Sequence, residues 1–489
     1  MGKLHKRKKG YSDEELDEEE TVFEDEDDEE EDDGDWEDDE ENDEIEEDDE
    51  DYDDEADRRA YRHRRRVRNQ IIVYLVIFFV AVGIVGGGFA TGRKVFSVIN
   101  QKRQEAERAK AEEEAAEEEP PEEELVIDTP EPVEEEPPEE EDILGGLAES
   151  YYSEMSIENK VAGLFMVTPE AITGVGTATQ AGDGTQEALN QYAVGGLIYF
   201  GQNILDREQI TTMLANTASM SNYPIFLAVD EEGGDVSRVA NSKVEVAKVE
   251  DMAAIGAGGD ASLAAEAGAT IGSYLSEIGF NVDFAPVADV AGEGSALGKR
   301  SFGSDPQVVG EMVTNAVSGI EGTGVSACLK HFPGLGSTSE DTHDGRVEIA
   351  KSLDEMRASD FVPFSAGIEA GADFVMVSHA TAPALDEENV PSSLSRKVIT
   401  DTLRGELGFE GVVITDALDM TAITEYYTPE EAAVMALEAG ADMLLMPEDF
   451  EKAYNAVLAA VQDGTISEER INESLDRIYR VKCAGKLEN

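Results

Sequence analysis

A polar loop directly after an apolar run carries the residue types that proton transfer requires. The run Val325–Leu329 predicts a buried strand, and the stretch after it reads KHFPGLGSTSEDTH. Near the end of this loop Asp341 lies two residues before His343, so its carboxylate can orient the imidazole and favour its protonated form. Such a pair suits general acid/base chemistry near neutral pH, although a lone Asp-x-His on a polar loop is more often a solvated turn.

The motif around this loop favours chemistry over a solvated turn. KHFPG-x-G followed by D-x-H closely resembles the signature of family 3 glycoside hydrolases, in particular the bacterial β-N-acetylglucosaminidase branch, and the resemblance covers most of residues 155–485. It implies that His343, partnered by Asp341, replaces the usual acid/base carboxylate, and that no metal or organic cofactor is needed. Leu335 stands where the family often has a His, a change expected to alter how the loop closes without removing catalysis.

A second carboxylate, Asp416, follows shortly after the apolar run Gly411–Ile414. An unpaired ionised group there is costly unless a site uses it, and a satisfied structural Asp is the alternative. The segment resembles the family's TDALDM motif, whose first Asp is the nucleophile, so the resemblance names Asp416. We expect Asp419 to cap the following helix. His379, in the matching MVSH segment, is expected to position the nucleophile or to line the sugar subsite.

Asp230 and Arg238 are the first of the residues that the resemblance assigns to substrate binding. Asp230 is the first residue of the segment DEEGG, which follows a predicted strand. The matching Asp of the family binds hydroxyls of the sugar in the −1 subsite. Arg238 matches a family position that supports this loop. Asp235 departs from the family, where an Arg is common, and this leaves specificity beyond the first sugar open.

Three more residues, Arg300, Lys330 and His331, complete the predicted subsite. Arg300 lies in RSFG, which follows DFAPV-x-D as it does in the family, and its guanidinium offers directed donors to hydroxyls or to an amide carbonyl. We expect Asp283 and Asp289 to orient Arg300 or to cap a loop. The family uses the adjacent Lys330 and His331 to bind hydroxyls of the sugar ring.

Eight apolar runs, mostly separated by helical patterns, must position these side chains. Continuous apolar strands between helices indicate a parallel sheet buried on both faces, and eight such units suggest a (β/α)8 TIM-type barrel, with a doubly wound open sheet as the alternative. The barrel is favoured because polar residues gather at the carboxyl ends of many different strands. The predicted strands are Val161–Val167, Gly195–Phe200, Ile225–Val229, Val282–Val287, Val325–Leu329, Phe374–Val377, Gly411–Ile414 and Met443–Leu445. The predicted helices are Ala261–Ile278, Pro306–Gly322, Leu353–Ala370, Ser395–Leu407, Pro429–Ala439, Asp449–Asp463 and Glu468–Lys482.

The composition of the 489-residue chain is uneven. Its formal charge of −72 comes largely from residues 13–57 and 105–142, which are too rich in Asp and Glu to bury a core and are predicted to be disordered. This charge argues against nucleic acid as a partner. The two cysteines, Cys328 and Cys483, do not make a disulfide framework.

A charge-free apolar run, Ile71–Ala90, follows a cluster of seven arginines between Arg58 and Arg68. Its twenty residues would span about 30 Å as a helix, the thickness of a bilayer's hydrocarbon core. The positive-inside rule places the arginines in the cytoplasm. We therefore predict a single-pass cell-membrane protein with a disordered acidic cytoplasmic tail (1–69), a transmembrane helix (70–92), a disordered Glu/Pro-rich stalk (93–142) and an extracytoplasmic barrel domain (143–489).

Together these observations predict an enzyme, a β-N-acetylhexosaminidase. The resemblance implies a retaining exo-enzyme that removes terminal β-linked N-acetylglucosamine, and the outward-facing anchor points to peptidoglycan fragments or other wall glycans as the carbohydrate partner. A β-glucosidase, a phosphorylase of the same family and a non-catalytic wall-binding module are the alternatives. The partner of the cytoplasmic tail cannot be deduced from the sequence.

Overall fold

The computed structural model describes residues 142–487 except 293, 341 and 344. These residues belong to one compact unit, Glu135–Asn489. The predicted tail and membrane helix, and the stalk up to residue 141, lie outside the described residues and stay predictions. Within the described part of the chain, no helix combines the length and the apolar character that crossing a bilayer requires.

The described strands build one nearly closed parallel barrel and one small hairpin. In chain order they are β1 (Phe165–Val167), β2 (Gly196–Tyr199), β3 (Phe226–Val229), β4 (Glu231–Gly233), β5 (Val236–Ser237), β6 (Val282–Asp283), β7 (Ser326–Phe332), β8 (Phe374–Val377), β9 (Val412–Thr415) and β10 (Leu444–Leu445). The barrel strands pair in the order β10, β1, β2, β3, β6, β7, β8, β9, all in parallel. A parallel bridge between Ile414 and Met443 joins the two ends of this order, whereas β4 and β5 pair antiparallel outside the barrel.

Helices lie between most of the strands, and common capping interactions set their ends. The Thr428 hydroxyl accepts the Glu431 N–H at 3.2 Å while the Glu431 carboxylate accepts the Thr428 N–H at 3.0 Å, a capping box that starts one helix. Gly440, with φ of 114°, ends the same helix in the left-handed region that glycine tolerates. The helices are Ile143–Tyr152, Ile157–Ala162, Pro169–Thr173, Asp183–Gln191, Arg207–Met220, Met252–Ala257, Ala261–Ile278, Pro306–Glu321, Leu353–Ala358, Phe361–Glu369, the π-helix Lys397–Glu406, Thr421–Thr424, Pro429–Ala439, Phe450–Gln462 and Glu468–Leu487.

The barrel prediction is confirmed in its architecture, with three local corrections. The strand predicted over Val282–Val287 is only Val282–Asp283, since Pro286 has no N–H for a strand ladder. The stretch from Val161 to Leu164 is not part of a strand, because Ser156 caps a helix that runs to Ala162. The predicted helix Leu353–Ala370 is two helices, which meet at Ser359 and Asp360. Pro363 explains the break, since a proline cannot donate to the carbonyl four residues earlier and its ring clashes with the preceding turn.

Apolar side chains and the last helix close the amino end of the barrel. Phe226 and Phe374, each the first residue of its strand, meet edge to face with ring centroids 5.1 Å apart. The helix Glu468–Leu487 crosses this end, because Lys482 Nζ lies 4.7 Å from the centre of the Phe226 ring and Arg470 donates to the Ala441 carbonyl at 2.7 Å. A substrate site is therefore expected at the carboxyl end, which the loops build.

Candidate functional site

A cavity of about 510 Å³ opens at the carboxyl end of the barrel. Loops after several different strands contribute to its wall. The carboxyl end of the strands is the usual place for the active site of this architecture. Seven of the nine predicted site residues line it: Asp230, Arg238, Arg300, Lys330, His331, His343 and Asp416. Of the other two, His379 lies behind the wall and Asp341 lies outside the described residues.

Two cations and two carboxylates form a continuous chain of ion pairs on the cavity floor. The buried Lys330 Nζ lies 2.7 Å from Asp230 Oδ1 and 2.6 Å from Glu232 Oε1. Arg300 donates from Nε and Nη2 to the two oxygens of Glu232, each bond being 2.8 Å long. Bidentate pairs of this kind fix both direction and distance. The donors that face the cavity are therefore held rigidly.

Burial and charge pairing act in opposite directions on this network. Burial raises the pKa of Glu232, but Lys330 and Arg300 outweigh it and lower that pKa to about 2. Burial likewise lowers the pKa of Lys330, and the carboxylates of Asp230 and Glu232 more than restore it, so this pKa lies above its ordinary value. Glu232 and Lys330 are therefore both charged at neutral pH.

Arg238 reaches the same network from the cavity wall. Its Nη2 lies 4.0 Å from Asp230 Oδ2, its backbone N–H donates to the Asp230 carbonyl at 3.3 Å, and its guanidinium lies 5.9 Å from the centre of the Phe200 ring. Its Nε is buried and has no hydrogen-bond partner among the residues that the structure describes. Arg238 thus contacts the Asp230 loop and still has a donor to offer.

Asp289 orients His331 and also caps the loop after it, one of the two roles expected of this carboxylate, since its Oδ1 accepts the Leu335 N–H at 2.5 Å. Asp289 Oδ2 accepts from His331 Nδ1 at 2.8 Å and from the His331 backbone N–H at 3.0 Å. On the other side of the ring, Arg300 Nη2 lies 3.3 Å from His331 Nε2. Because a guanidinium only donates, Nε2 accepts and the ring proton is on Nδ1. Asp289 therefore orients His331, and Glu232 orients Arg300.

Asp416 stands at the end of β9 with its carboxylate at the cavity. Its Oδ1 accepts the Ala417 N–H at 2.8 Å. Burial raises the pKa of Asp416, but His331, His379, the Ala417 amide and Lys330 together outweigh it and hold that pKa below its ordinary value. The group is therefore an ionised carboxylate at neutral pH, as a nucleophile must be.

His379 supports the segment that follows Asp416 and does not line the cavity. It is fully buried, its Nε2 lies 2.8 Å from the Ala417 carbonyl oxygen, and its Nδ1 lies 2.7 Å from Ser393 Oγ. The carbonyl can only accept, so Nε2 carries the proton. Burial lowers the pKa of His379 despite the nearby Asp416 charge, which keeps the ring neutral. Of the two predicted roles, this contact fits positioning.

Asp419 does not cap the helix that follows it. The helix Thr421–Thr424 begins after Met420 and has no side-chain cap, so Asp419 lies one residue too early for this function. Its exposed side chain lines the cavity mouth instead.

The exposed His343 lies on a loop that is attached to the segment after β9. The Ala422 N–H donates to the Thr342 carbonyl at 3.4 Å. Three residues after His343, the Arg346 guanidinium lies 4.4 Å from the centre of the Tyr426 ring, within cation–π range. These contacts bring His343 to the cavity that Asp416 also lines. The pairing of His343 with Asp341 stays a prediction.

A buried carboxylate pair supports the floor from below. Asp283 Oδ1 accepts the Glu231 N–H at 3.0 Å, and the Glu231 carboxylate accepts from Tyr274 Oη at 2.7 Å and from the Val239 N–H at 2.7 Å. Burial, reinforced by the Glu231 charge, raises the pKa of Asp283 well above its ordinary value. The expected structural role of Asp283 agrees with these contacts. Among the described residues, Asp283 forms no hydrogen bond with Arg300.

Sequence reasoning missed Glu232, which joins Arg300 to Lys330. Three acidic residues follow one another after β3, and their side chains have three different environments: Asp230 faces the cavity, Glu231 points inward to Tyr274, and Glu232 pairs with Arg300. The available signal was the run of three acidic residues that begins with the predicted sugar-binding Asp230.

Across the described residues, His, Cys, Asp and Glu side chains form no group of three or more that could hold a metal ion. The positive charge at the cavity floor comes from Lys330 and Arg300.

Comparison with known proteins agrees with the motifs. Residues 156–481 match the glycosyl hydrolase family 3 N terminal domain. The chain is similar to a β-hexosaminidase of Stenotrophomonas maltophilia, with 38% identity over 274 residues that cover 55% of this chain and 81% of that protein. It is also similar to β-hexosaminidase A of Pseudoalteromonas piscicida, with 33% identity over 327 residues, or 60% of this chain and 54% of that protein. The chain thus spans about half the length of the second relative.

A solved structure extends the comparison to the fold. The glycoside hydrolase family 3 β-N-acetylglucosaminidase of Paenibacillus sp. superimposes with a TM-score of 0.64 and 37% identity, covering 68% of this chain and 64% of that one. The resemblance drawn from the sequence motifs is therefore confirmed.

Proposed function

Because the chain belongs to glycosyl hydrolase family 3, we propose that it is a retaining exo-β-N-acetylglucosaminidase, that is, a β-N-acetylhexosaminidase that removes terminal β-linked N-acetylglucosamine. The observation that carries the proposal is the convergence, in one cavity, of the ionised Asp416, His343 and the paired cations Lys330 and Arg300. The relatives named β-hexosaminidase support the choice of sugar.

Asp416 is the proposed nucleophile. Its carboxylate attacks the anomeric carbon as the glycosidic bond breaks, which forms a covalent glycosyl-enzyme and releases the aglycone. His379 holds the Ala417 carbonyl, and the Ala417 N–H holds Asp416 Oδ1, so the attacking oxygen has a fixed direction. This preorganisation removes part of the entropy cost of the step.

His343, oriented by Asp341, is the proposed acid/base. In the first step it donates a proton to the leaving oxygen. In the second it removes a proton from the water that hydrolyses the glycosyl-enzyme, so the β configuration is retained. The proposal is supported by the D-x-H spacing and by the position of His343 at the cavity.

The sugar is proposed to bind on the charged floor. Asp230, held by Lys330, accepts from hydroxyls of the sugar, and Arg238 stands beside it. Arg300 and His331 lie on the same floor, where the unused donors of Arg300 face hydroxyls or the N-acetyl carbonyl. Because the cations and carboxylates are already paired, the floor binds a neutral sugar without leaving a charge unpaired.

Hydrolysis of chromogenic glycosides tests the activity. We expect the purified full-length chain to release p-nitrophenol from its β-N-acetylglucosaminide much faster than from its β-glucoside, and to do so without phosphate. Faster turnover of the glucoside would replace the proposal with a β-glucosidase, and a rate that needs phosphate would replace hydrolysis with phosphorolysis. No turnover of either glycoside would leave a wall-binding module as the better account.

We also propose that the enzyme is anchored in the cell membrane, faces outward and acts on peptidoglycan fragments or other wall glycans. The charge-free run Ile71–Ala90 and the arginine cluster before it support the anchor and its direction. Protease added to intact cells should remove the barrel domain and spare the acidic tail. Loss of the tail with protection of the barrel would reverse this topology.

A further inference from the structure

A second cavity, of about 570 Å³, lies at the amino end of the barrel, opposite the catalytic cavity. Four arginines line it, Arg396, Arg404, Arg470 and Arg477, and we call it the arginine cavity. In a chain with 110 acidic and 38 basic residues, four guanidinium groups in one cavity are unexpected. The proposed function does not use any of them.

One buried carboxylate, Asp442, accounts for only part of this positive charge. Its Oδ2 accepts from Arg404 and from the Val413 N–H, and its Oδ1 accepts from Ser474 Oγ at 2.8 Å and from Arg477 Nη1 at 3.1 Å. A carboxylate offers about four lone-pair sites, so Asp442 is saturated. Backbone carbonyls accept from Arg404 and Arg470 as well. Arg477 is bonded only through Nη1, so its Nε and Nη2 have no hydrogen-bond partner among the described residues.

Three of the arginines crowd around this single carboxylate. Arg470 Nη1 lies 3.9 Å from Asp442 Oδ1, in addition to the direct bonds of Arg404 and Arg477. Burial lowers the pKa of Arg404, and the charges of Arg477 and Arg470 lower it further against the effect of Asp442. The site therefore has an excess of positive charge in a half-buried place.

Arg396 adds a fourth cation that the network does not hold. Its side chain is exposed, and among the described residues its guanidinium forms no hydrogen bond or ion pair. Two glutamates, Glu438 and Glu473, also border the cavity, but both side chains are exposed and can turn to solvent. The half-buried guanidinium groups cannot do so, because backbone carbonyls hold Arg404 and Arg470 in place.

From this arrangement we propose that the arginine cavity binds a phosphate group. A tetrahedral, negatively charged phosphate group accepts from several guanidinium groups at once, which is the geometry that arginine favours. Ser467, which lines the same cavity, supplies a hydroxyl donor, whereas the hydroxyls of Thr400 and Thr465 already donate to the Ala439 carbonyl and to Asp463. The phosphate group can be free inorganic phosphate or the phosphodiester of a polymer.

Calorimetric titration of the full-length chain at constant ionic strength tests this site. One arm uses inorganic phosphate, and the other uses glycerophosphoryl glycerol as a phosphodiester. The test variants are Arg396→Gln, which lies outside the Asp442 network, and Arg477→Gln, whose folding is checked by thermal unfolding. The matched control is Arg357→Gln, which removes an arginine that pairs with Glu406 at the surface.

We expect saturable binding of at least one of the two phosphate compounds. The compound with the lower dissociation constant identifies the source of the phosphate group. Arg396→Gln should weaken it by about tenfold or more, the loss of one charge-assisted hydrogen bond, while Arg357→Gln should leave it unchanged. No saturable binding in either arm would overturn the proposal, and so would binding that Arg396→Gln does not affect, since the phosphate would then lie elsewhere. Binding is measured without substrate, so its failure is separate from a failure of the proposed activity.

Discussion

The two ends of the barrel treat buried cations in opposite ways. At the carboxyl end Lys330 and Arg300 face the carboxylates of Asp230 and Glu232 within 2.8 Å. At the amino end three arginines share the single carboxylate Asp442. The first arrangement is balanced and suits a neutral sugar, whereas the second leaves positive charge for an anion.

The comparison teaches that the number of charged groups matters less than their pairing. Both ends are rich in charge, and both fix their cations with short hydrogen bonds. Only at the carboxyl end do the buried cations, Lys330 and Arg300, face an equal number of carboxylates, Asp230 and Glu232, so that Asp416 is a further negative charge available for chemistry.

The largest effect is expected from Asp416→Asn. This change keeps the volume of the side chain and removes the attacking charge, so kcat for the N-acetylglucosaminide should fall by about 10⁴-fold or more. Steady-state kinetics measures it, and thermal unfolding confirms that the variant is folded. A loss of less than about tenfold would rule out Asp416 as the nucleophile.

Glu232→Gln tests the balance at the carboxyl end. Breaking a buried ion pair leaves Arg300 and Lys330 short of a partner, and we expect kcat/KM to fall by about 10²-fold. Glu406→Gln is the control, because Arg357 and Glu406 form the same two-bond pair at the surface, with bonds of 2.6 and 2.8 Å. Equal effects of the two variants would show that burial of the Arg300 pair is irrelevant to the site.

Glu321→Gln tests charge at the amino end through pH. Burial, reinforced by the Asp373 charge, raises the pKa of Glu321 to about 8 from an ordinary value of 4.5. Between these values the folded chain holds a proton that the unfolded chain has lost, so the pair's contribution to stability is full below pH 4.5 and is lost as pH rises to about 8.

The Glu321→Gln variant should lack this loss of stability. The thermal midpoint of the variant minus that of the parent should therefore increase as pH rises from 5 to 8. The exposed Glu311, on the same helix, provides the control Glu311→Gln. Parallel pH curves for the parent and Glu321→Gln would contradict a raised pKa of Glu321 in the folded chain.

The smallest effect is expected from Ser474→Ala. This fully buried hydroxyl donates to Asp442 Oδ1 at 2.8 Å and accepts from Arg470 Nη1 at 2.7 Å. Its loss should lower the free energy of unfolding by about 2 kcal/mol in urea titrations, while Ser318→Ala, at an exposed helix position, should change it by less than about 0.5 kcal/mol. Similar changes in unfolding free energy for Ser474→Ala and Ser318→Ala would contradict the hydrogen bond of Ser474 to Asp442 as a contribution to stability.

The barrel and the carboxyl-end site were largely predictable because both follow from local patterns. Each apolar run gives a strand, and a polar residue at its end, such as Asp230 or Asp416, must reach the same edge of a parallel barrel. Pairings between distant segments were not predictable. Glu232 meets Arg300 across 68 positions, and nothing local distinguishes it from Glu231.

The arginine cavity shows the same limit more strongly. Arg396, Arg404, Arg470 and Arg477 come from two helical regions, and no motif connects them. Their meeting depends on how the last helix crosses the barrel, which is set by packing and not by a sequence pattern. The tail, the membrane helix and Asp341 stay predictions.

Trapping of the glycosyl-enzyme tests the central claim most directly. The full-length chain would be incubated with a fluorinated N-acetylglucosaminide that carries a good leaving group. The fluorine slows hydrolysis of the glycosyl-enzyme, and the masses of the peptides would then be measured by mass spectrometry. We predict that one sugar residue is added to the peptide that contains Asp416, and that Asp416→Asn abolishes this addition. Turnover of the chromogenic substrate without any adduct, or an adduct on another peptide, would contradict the assignment.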